Sequence, residues 1–113
     1  MRFLILAFTL MFMYAPQVFA IGMMDGAKVI KVRVDKSGKG MIEFDKPLYS
    51  SPPACASGYP TWLAFDSNTA GGKSILSIAL TAQASGALVM ARGSGTCDIY
   101  SVTESWDWGF IQK

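Results

Sequence analysis

The sequence predicts a small, mainly β domain with one α-helix, in the order β-β-β-α-β-β. Short stretches in which apolar and polar residues alternate, typical of half-buried strands, recur between turns rich in glycine and proline. One stretch, around residues 75–82, instead places apolar residues at the i, i+3, i+4 spacing of a helix. The 113 residues are enough for one domain and no more.

The first twenty residues predict a cleaved secretory signal. "MRFLILAFTLMFMY" has one cation followed by an apolar run, and "APQVFA" places Val18 and Ala20 where a signal peptidase prefers small residues. The alternative is a membrane anchor, but Pro16 interrupts the run before it reaches the ~20 residues that span a bilayer. We therefore expect a signal peptide at 1–20 and a single domain at 21–113, secreted or periplasmic and without membrane contact after cleavage.

A hairpin opens the predicted domain. In "VIKVRV" apolar and basic residues alternate, which predicts a strand with Ile30, Val32 and Val34 on its inner face. "DKSGKG" is typical of a turn, and the returning strand places Ile42 and Phe44 inside. We interpret the basic side chains as the solvated face of this hairpin. Removal of the signal leaves nine Lys and Arg against eight Asp and Glu, so no nucleic-acid partner is expected.

The middle of the chain predicts a loop, a strand and the helix. Residues 45–60 contain four prolines and form the loop, because proline cannot donate to a central ladder. "TWLAFD" predicts a third strand, buried on both faces, with Trp62 in the core. "DSNT" supplies candidate N-cap residues for a helix that starts near residues 71–73, and Gly86 is placed as its left-handed C-cap residue.

The last part of the chain predicts two further strands, "ALVMAR" and "TCDIYSVTE". The aromatic tail "SWDWGFIQK" follows, either as an irregular end or as one more strand. A lone amphipathic helix between strands three and four can plug the open end of a five-stranded, partly closed barrel, which is the OB-fold arrangement. We therefore expect a single OB-like barrel.

The two cysteines, Cys55 and Cys97, predict one disulfide. Both lie in the exported part, where an oxidising compartment favours pairing. Closing a loop of about 42 residues stabilises a domain by roughly 4 kcal/mol in the chain-entropy model. Metal ligation and redox chemistry are the alternatives, but the sequence has no histidine and no CxxC pair, so no metal site is expected.

Catalysis is not expected. The absence of histidine removes the commonest general base. Asp66, Asp98, Glu104 and Asp107 have no spacing that demands a catalytic pair, and we interpret them as solvated or capping groups. "AGGKS" lacks the spacing of a P-loop. The sequence therefore predicts a protein that is not an enzyme and has no cofactor.

Several strings carry a family resemblance. "W-x-A-F-D", "G-G-K-x-x-L-S-I-x-L-T-A" and "G-S-G-T-C" resemble a group of small exported proteins of Gram-negative bacteria, over roughly residues 54–104. In layout the group is similar to the OB-fold B subunits of AB5 toxins of the subtilase-cytotoxin and pertussis-like kind, which bind cell-surface glycans as pentameric rings. The resemblance implies an OB-like barrel, export and self-association. No sugar-contacting motif of those toxins matches this chain, so it assigns no binding residue.

Aromatic residues are the candidates for ligand contact. Aromatic faces stack on sugar rings, although in small domains such side chains also fill the core. Trp106 and Trp108 alternate and would point the same way on a strand, and Tyr100 precedes them. We expect a non-enzymatic binding domain that recognises a glycan through these three residues, as a monomer or a homo-oligomer. The alternative is a structural or protein-interaction module of the cell envelope with no small ligand.

Overall fold

The computed structural model of the protein describes residues 20–112, which contain six strands, a short 3-10 helix and one α-helix. The predicted signal peptide lies outside the described residues, apart from Ala20. The elements in chain order are β1 (Met23–Ala27), β2 (Val29–Val34), β3 (Lys39–Phe44), the 3-10 helix (Ala54–Ala56), β4 (Trp62–Asp66), α1 (Ala70–Ser85), β5 (Leu88–Gly93) and β6 (Trp106–Gln112). Within 20–112, no helix is both long and apolar enough to cross a bilayer.

The strands form two antiparallel three-stranded sheets, β1-β5-β6 and β2-β3-β4. Lys28 alone separates β1 from β2, so one nearly continuous stretch of chain enters both sheets. Among residues 20–112, a single parallel bridge also joins Ala64 to Ser105, where the Ala64 amide donates to the Glu104 carbonyl at 2.8 Å. The mainly β architecture with one helix is confirmed. The prediction of five strands in one barrel is wrong, because the ladders of residues 20–112 leave two sheets and no closed barrel.

The helix α1 begins after an N-cap residue and ends at a C-cap glycine. Thr69 caps the first turn by accepting from the Gly72 amide at 2.9 Å, and Gly86 ends the helix with φ 71°. Ala79 and Ala82 are buried against the sheets, which confirms most of the predicted apolar arc. Leu80, assigned to the same arc, is 48% exposed, because it lies on a different face of the helix from the buried Ala79 and Ala82.

The first predicted hairpin has the right partners, and its inner face is as predicted in β3 but only in part in β2. Ile42 and Phe44 are buried, as predicted, whereas Ile30 and Val34 are about half exposed. Register explains Ile30: it is an extra residue between two consecutive pairs of the β2–β3 ladder, and such a bulge interrupts the alternation. Val34 pairs with Gly40 at the end of the ladder beside the turn. The strand β1 was not predicted, because "MMDGA" does not alternate.

The third predicted strand is confirmed, and the fifth is wrong. Leu63, Ala64 and Phe65 in β4 are all buried, as a strand covered on both faces requires, while Trp62 is half-buried rather than in the core. "TCDIYSVTE" makes only isolated bridges, and its polar side chains bond locally instead of joining a ladder. The aromatic tail forms the strand β6 in its place.

Candidate functional site

The two tryptophans of β6 lie on different sides of the sheet. Gly93 pairs with Trp106 and the preceding Arg92 pairs with Trp108, so Asp107 is an extra residue in the ladder. A bulge of this kind shifts the side-chain alternation by one position. Trp106 is 6% exposed and Trp108 is 42% exposed. The prediction that both rings face the same way is therefore wrong, because the alternation assumed an unbroken strand.

Trp106 belongs to the core. Its ring lies 6.1 Å from that of Phe44, at an interplanar angle of 31°. Gly109 leaves room for the indole, since a Cβ there would press on the Trp106 ring and the Met90 carbonyl. The indole Nε1 is buried without a hydrogen-bond partner among residues 20–112. Trp106 therefore cannot offer its ring face to a ligand at the surface.

Trp108 and Phe110 together form an exposed pair that we call the aromatic ledge. Their ring centroids lie 6.4 Å apart and the planes differ by 12°. Phe110 is 50% exposed. Register pairs Trp108 with Arg92 and Phe110 with Met90, so these four side chains share the outer face of the sheet. The role of Phe110 was missed, although its i+2 spacing from Trp108 was a usable signal.

Tyr100 is half-buried and holds the turn between β2 and β3. Its hydroxyl donates to Asp35 Oδ2, and Arg33 Nε donates to Asp35 Oδ1 at 2.9 Å. The hydrogen bonds from Tyr100 and then Arg33 lower the pKa of Asp35. Burial, followed by the hydrogen bond to Asp35, raises the pKa of Tyr100 to about 12. The hydroxyl is thus engaged within the fold, and the structure gives Tyr100 a structural contact rather than a place beside the ledge.

The irregular stretch of residues 94–105, here called the tethered segment, is fixed by a covalent bond. The Cys55 and Cys97 sulfurs lie 2.07 Å apart, with 6.3 Å between the Cα atoms, so the predicted disulfide is present. Cys55 lies in the short 3-10 helix of the proline-rich loop. The bond therefore joins that loop to the tethered segment, which has no ladder of its own beyond isolated bridges.

A buried carboxylate fixes the other end of the tethered segment. Glu104 is fully buried and accepts hydrogen bonds from the Gly22 amide at 3.1 and 3.0 Å and from the Gly95 amide at 2.9 Å. Gly93 and Gly22 are required there, because a Cβ at either position would overlap the carboxylate. The interpretation of Glu104 as a solvated or capping group is wrong. Nothing in the local pattern of the sequence distinguishes it from an exposed glutamate.

Asp98 is held within the same segment. Its Oδ1 accepts from the Ser105 hydroxyl and from Thr96 Oγ1, the latter at 3.2 Å. These bonds, the one from Ser105 first, lower the pKa of Asp98 and keep the carboxylate charged at neutral pH. Within the described part of the chain, no three His, Cys, Asp or Glu side chains are grouped closely enough to hold a metal ion.

Comparison with family models, with curated proteins and with solved structures found no match to this chain. The resemblance to small exported proteins and toxin B subunits therefore stays a prediction.

Proposed function

We propose that this chain is a non-enzymatic binding domain that recognises glycans through the aromatic ledge. The observation that supports the proposal is the pair of exposed, nearly parallel rings of Trp108 and Phe110 on the outer sheet face. Rings of this kind offer an apolar surface to the C–H face of a sugar, as they do to a nucleobase. Arg92, the ladder partner of Trp108, supplies hydrogen-bond donors for sugar hydroxyls on the same face.

We also propose an OB-like order of elements and export for this chain. The almost unbroken passage from β1 into β2, the parallel bridge between Ala64 and Ser105, and the helix between β4 and β5 favour an OB-like topology. The disulfide favours an oxidising compartment, secreted or periplasmic, reached after removal of residues 1–20. These features are consistent with the resemblance to toxin B subunits.

A glycan array followed by isothermal titration calorimetry tests the proposal. We expect at least one glycan to bind, and the Trp108→Ala, Phe110→Ala double variant to lose about tenfold or more in affinity, because the comparable stacking of a nucleobase on an aromatic ring contributes about 1–3 kcal/mol. Tyr59→Ala is the matched control, since it removes an exposed aromatic ring that lies outside the ledge. Unchanged affinity in the double variant, or no glycan bound at all, would refute the proposal.

The second candidate function is a protein-interaction module, including a homo-oligomer. β6 is the edge strand of its sheet, and the ledge adjoins Leu88, which is 38% exposed, so the face could equally be covered by protein. Size-exclusion chromatography with light scattering separates the two functions. A complex that dissociates in the double variant, with no response to glycans, would favour the protein interface.

A further inference from the structure

Glu104 is a fully buried carboxylate that forms no ion pair within the described part of the chain. The Gly22 amide donates to its Oε1 at 3.1 Å and to its Oε2 at 3.0 Å, and the Gly95 amide donates to Oε2 at 2.9 Å. Both ion pairs of residues 20–112 involve other carboxylates, in or beside the β2–β3 hairpin. Buried charges are rarely left without an opposite charge, because their burial is costly. Backbone amides alone therefore stabilise this carboxylate, and a cation beside it would stabilise it further.

The chain just after the predicted signal peptide packs beside this carboxylate. Gly22 is buried, and its carbonyl accepts from the last amide of β5 at 2.8 Å, so the pairing of β1 with β5 continues by one residue. Ile21 is half-buried. A Cβ at Gly95 would lie 3.0 Å from the Ala20 carbonyl oxygen and 3.1 Å from Ile21 Cγ1. The backbone at the predicted cleavage site is therefore held against the tethered segment.

The backbone nitrogen of Ile21 lies near the same carboxylate. Three covalent bonds separate it from the Gly22 nitrogen, which keeps the two atoms at most about 3.7 Å apart. The Gly22 nitrogen is itself 3.1 and 3.0 Å from the two Glu104 oxygens. The Ile21 nitrogen is thus within about 7 Å of both oxygens. Opposite charges at such a separation attract each other appreciably when one of them is shielded from water.

We infer that cleavage after Ala20 supplies the counter-charge, because the new α-ammonium of Ile21 pairs with the Glu104 carboxylate. Hydrolysis of the Ala20–Ile21 peptide bond consumes one water. Its oxygen completes the carboxylate of Ala20, which leaves with the signal peptide, and its two protons convert the Ile21 nitrogen to an ammonium at neutral pH. Loss of Ala20 also removes the carbonyl beside Gly95, so the ammonium has room to turn towards Glu104.

The ion pair makes processing a step that regulates the stability of the fold. In the precursor the Ile21 nitrogen belongs to an uncharged amide, and the carboxylate relies on backbone donors alone. In the processed chain the first residue is joined electrostatically to the tethered segment. The inference rests on the export that we propose above and is independent of glycan binding, so the ledge and the ion pair can fail separately.

Denaturant unfolding of chains with different N-termini tests the ion pair. Ligation at Cys55 joins a synthetic first part, with a free or an acetylated α-amine at Ile21, to the rest of the chain, and oxidation then forms the disulfide. Acetylation restores the uncharged amide of the precursor. We expect it to lower the folding equilibrium constant about tenfold or more, because removal of one partner leaves the buried charge uncompensated. In Glu104→Gln the same acetylation should change that constant by less than about twofold.

A chain that begins at Ala20 is the matched control, since it keeps a free amine but moves the charge by one residue. It should be less stable than the chain that begins at Ile21. Lys36→Gln removes an exposed cation of the β2–β3 turn, and it should not reproduce the effect of acetylation. If Glu104→Gln does not fold, the comparison of the three N-termini in the wild-type sequence decides alone.

The mass of the protein exported with its own signal tests the processing step, and we expect it to correspond to a chain that begins at Ile21. A different first residue would overturn the inference at the cleavage site. Equal stability of the free and acetylated chains, or an equal effect of acetylation in Glu104→Gln, would overturn the ion pair. Either of these last two results would leave export and glycan binding untouched.

Discussion

The β2–β3 hairpin and the tethered segment keep their shapes by different means. The hairpin, from Val29 to Phe44, is held by a backbone ladder, in which several equivalent hydrogen bonds each contribute a part of the stability. The tethered segment has isolated bridges and a few backbone hydrogen bonds in place of a ladder, and it depends on the disulfide, on the Glu104 carboxylate and on the Tyr100 hydroxyl. Loss of one hydrogen bond therefore lowers the stability of the hairpin only slightly. Loss of one side chain in the tethered segment leaves a stretch of backbone without the contact that fixes it.

The disulfide gives the largest expected effect. We expect the Cys55→Ser, Cys97→Ser double variant to lose roughly 4 kcal/mol of unfolding free energy, because the unfolded chain regains the freedom of a loop of about 42 residues. Denaturant unfolding measures the loss. Hydrogen exchange under native conditions should speed up more in residues 94–105 than in β2 and β3. Equal acceleration in both regions would contradict the contrast between them.

The buried carboxylate gives the next largest effect. Glu104→Ala should lower the unfolding free energy by about 3 kcal/mol, because the Gly22 and Gly95 amides lose their acceptor inside the protein. Glu104→Gln has nearly the same shape and keeps one acceptor oxygen, so it should lose less. Equal losses in the two variants, measured by denaturant unfolding, would contradict this order and show that one remaining acceptor oxygen in the same volume preserves none of the stabilisation.

The Tyr100 contact gives the smallest effect, and it depends on pH. The pKa of Tyr100 is raised from 10.0 to about 12, so its contribution is complete below pH 10 and is lost as pH rises towards 12. The pKa of Asp35 is lowered from 3.8, so its contribution is present above pH 3.8 and is lost on further acidification. Tyr100→Phe should lower Tm by a few degrees at neutral pH. In a plot of Tm against pH, it should also make the decreases of Tm at high and at low pH smaller.

A surface ion pair in the hairpin is the control for that profile. Lys31 Nζ lies 3.7 Å from Glu43 Oε1, with the lysine side chain 69% exposed. Exposed pairs of this kind contribute little, so Lys31→Ala should leave the Tm profile close to that of the wild type. If Lys31→Ala changed Tm as much as Tyr100→Phe, the two regions would not differ in the way that we describe.

The same contrast explains which parts of the structure the sequence could predict. Periodicity and capping chemistry located β3, β4, α1 and the cysteine pair, because these depend on neighbouring residues or on the compartment. Bulges at Ile30 and Asp107 were invisible, since one extra residue is set by the partner strand and not by the strand itself. The burial of Glu104 depends on Gly22, 82 positions away. No local pattern reports a contact of that range.

The candidate site shows the same limits. Trp108 stays a candidate because it is exposed on β6, and Phe110, two residues further on, is exposed in the same way. Trp106 was wrongly placed on the same face as Trp108 because the sequence does not show the bulge. Tyr100 was wrongly grouped with Trp108 because its hydrogen-bond partner, Asp35, is 65 positions away.

The bulge at Asp107 has a consequence for how this surface can diverge. The bulge turns Trp106 towards the core and Trp108 towards the surface. Core packing and surface exposure are therefore assigned to two different positions of β6. Substitution of the outer ring leaves the inner packing untouched. Descendants of this chain can therefore vary the exposed position without first losing the ability to fold.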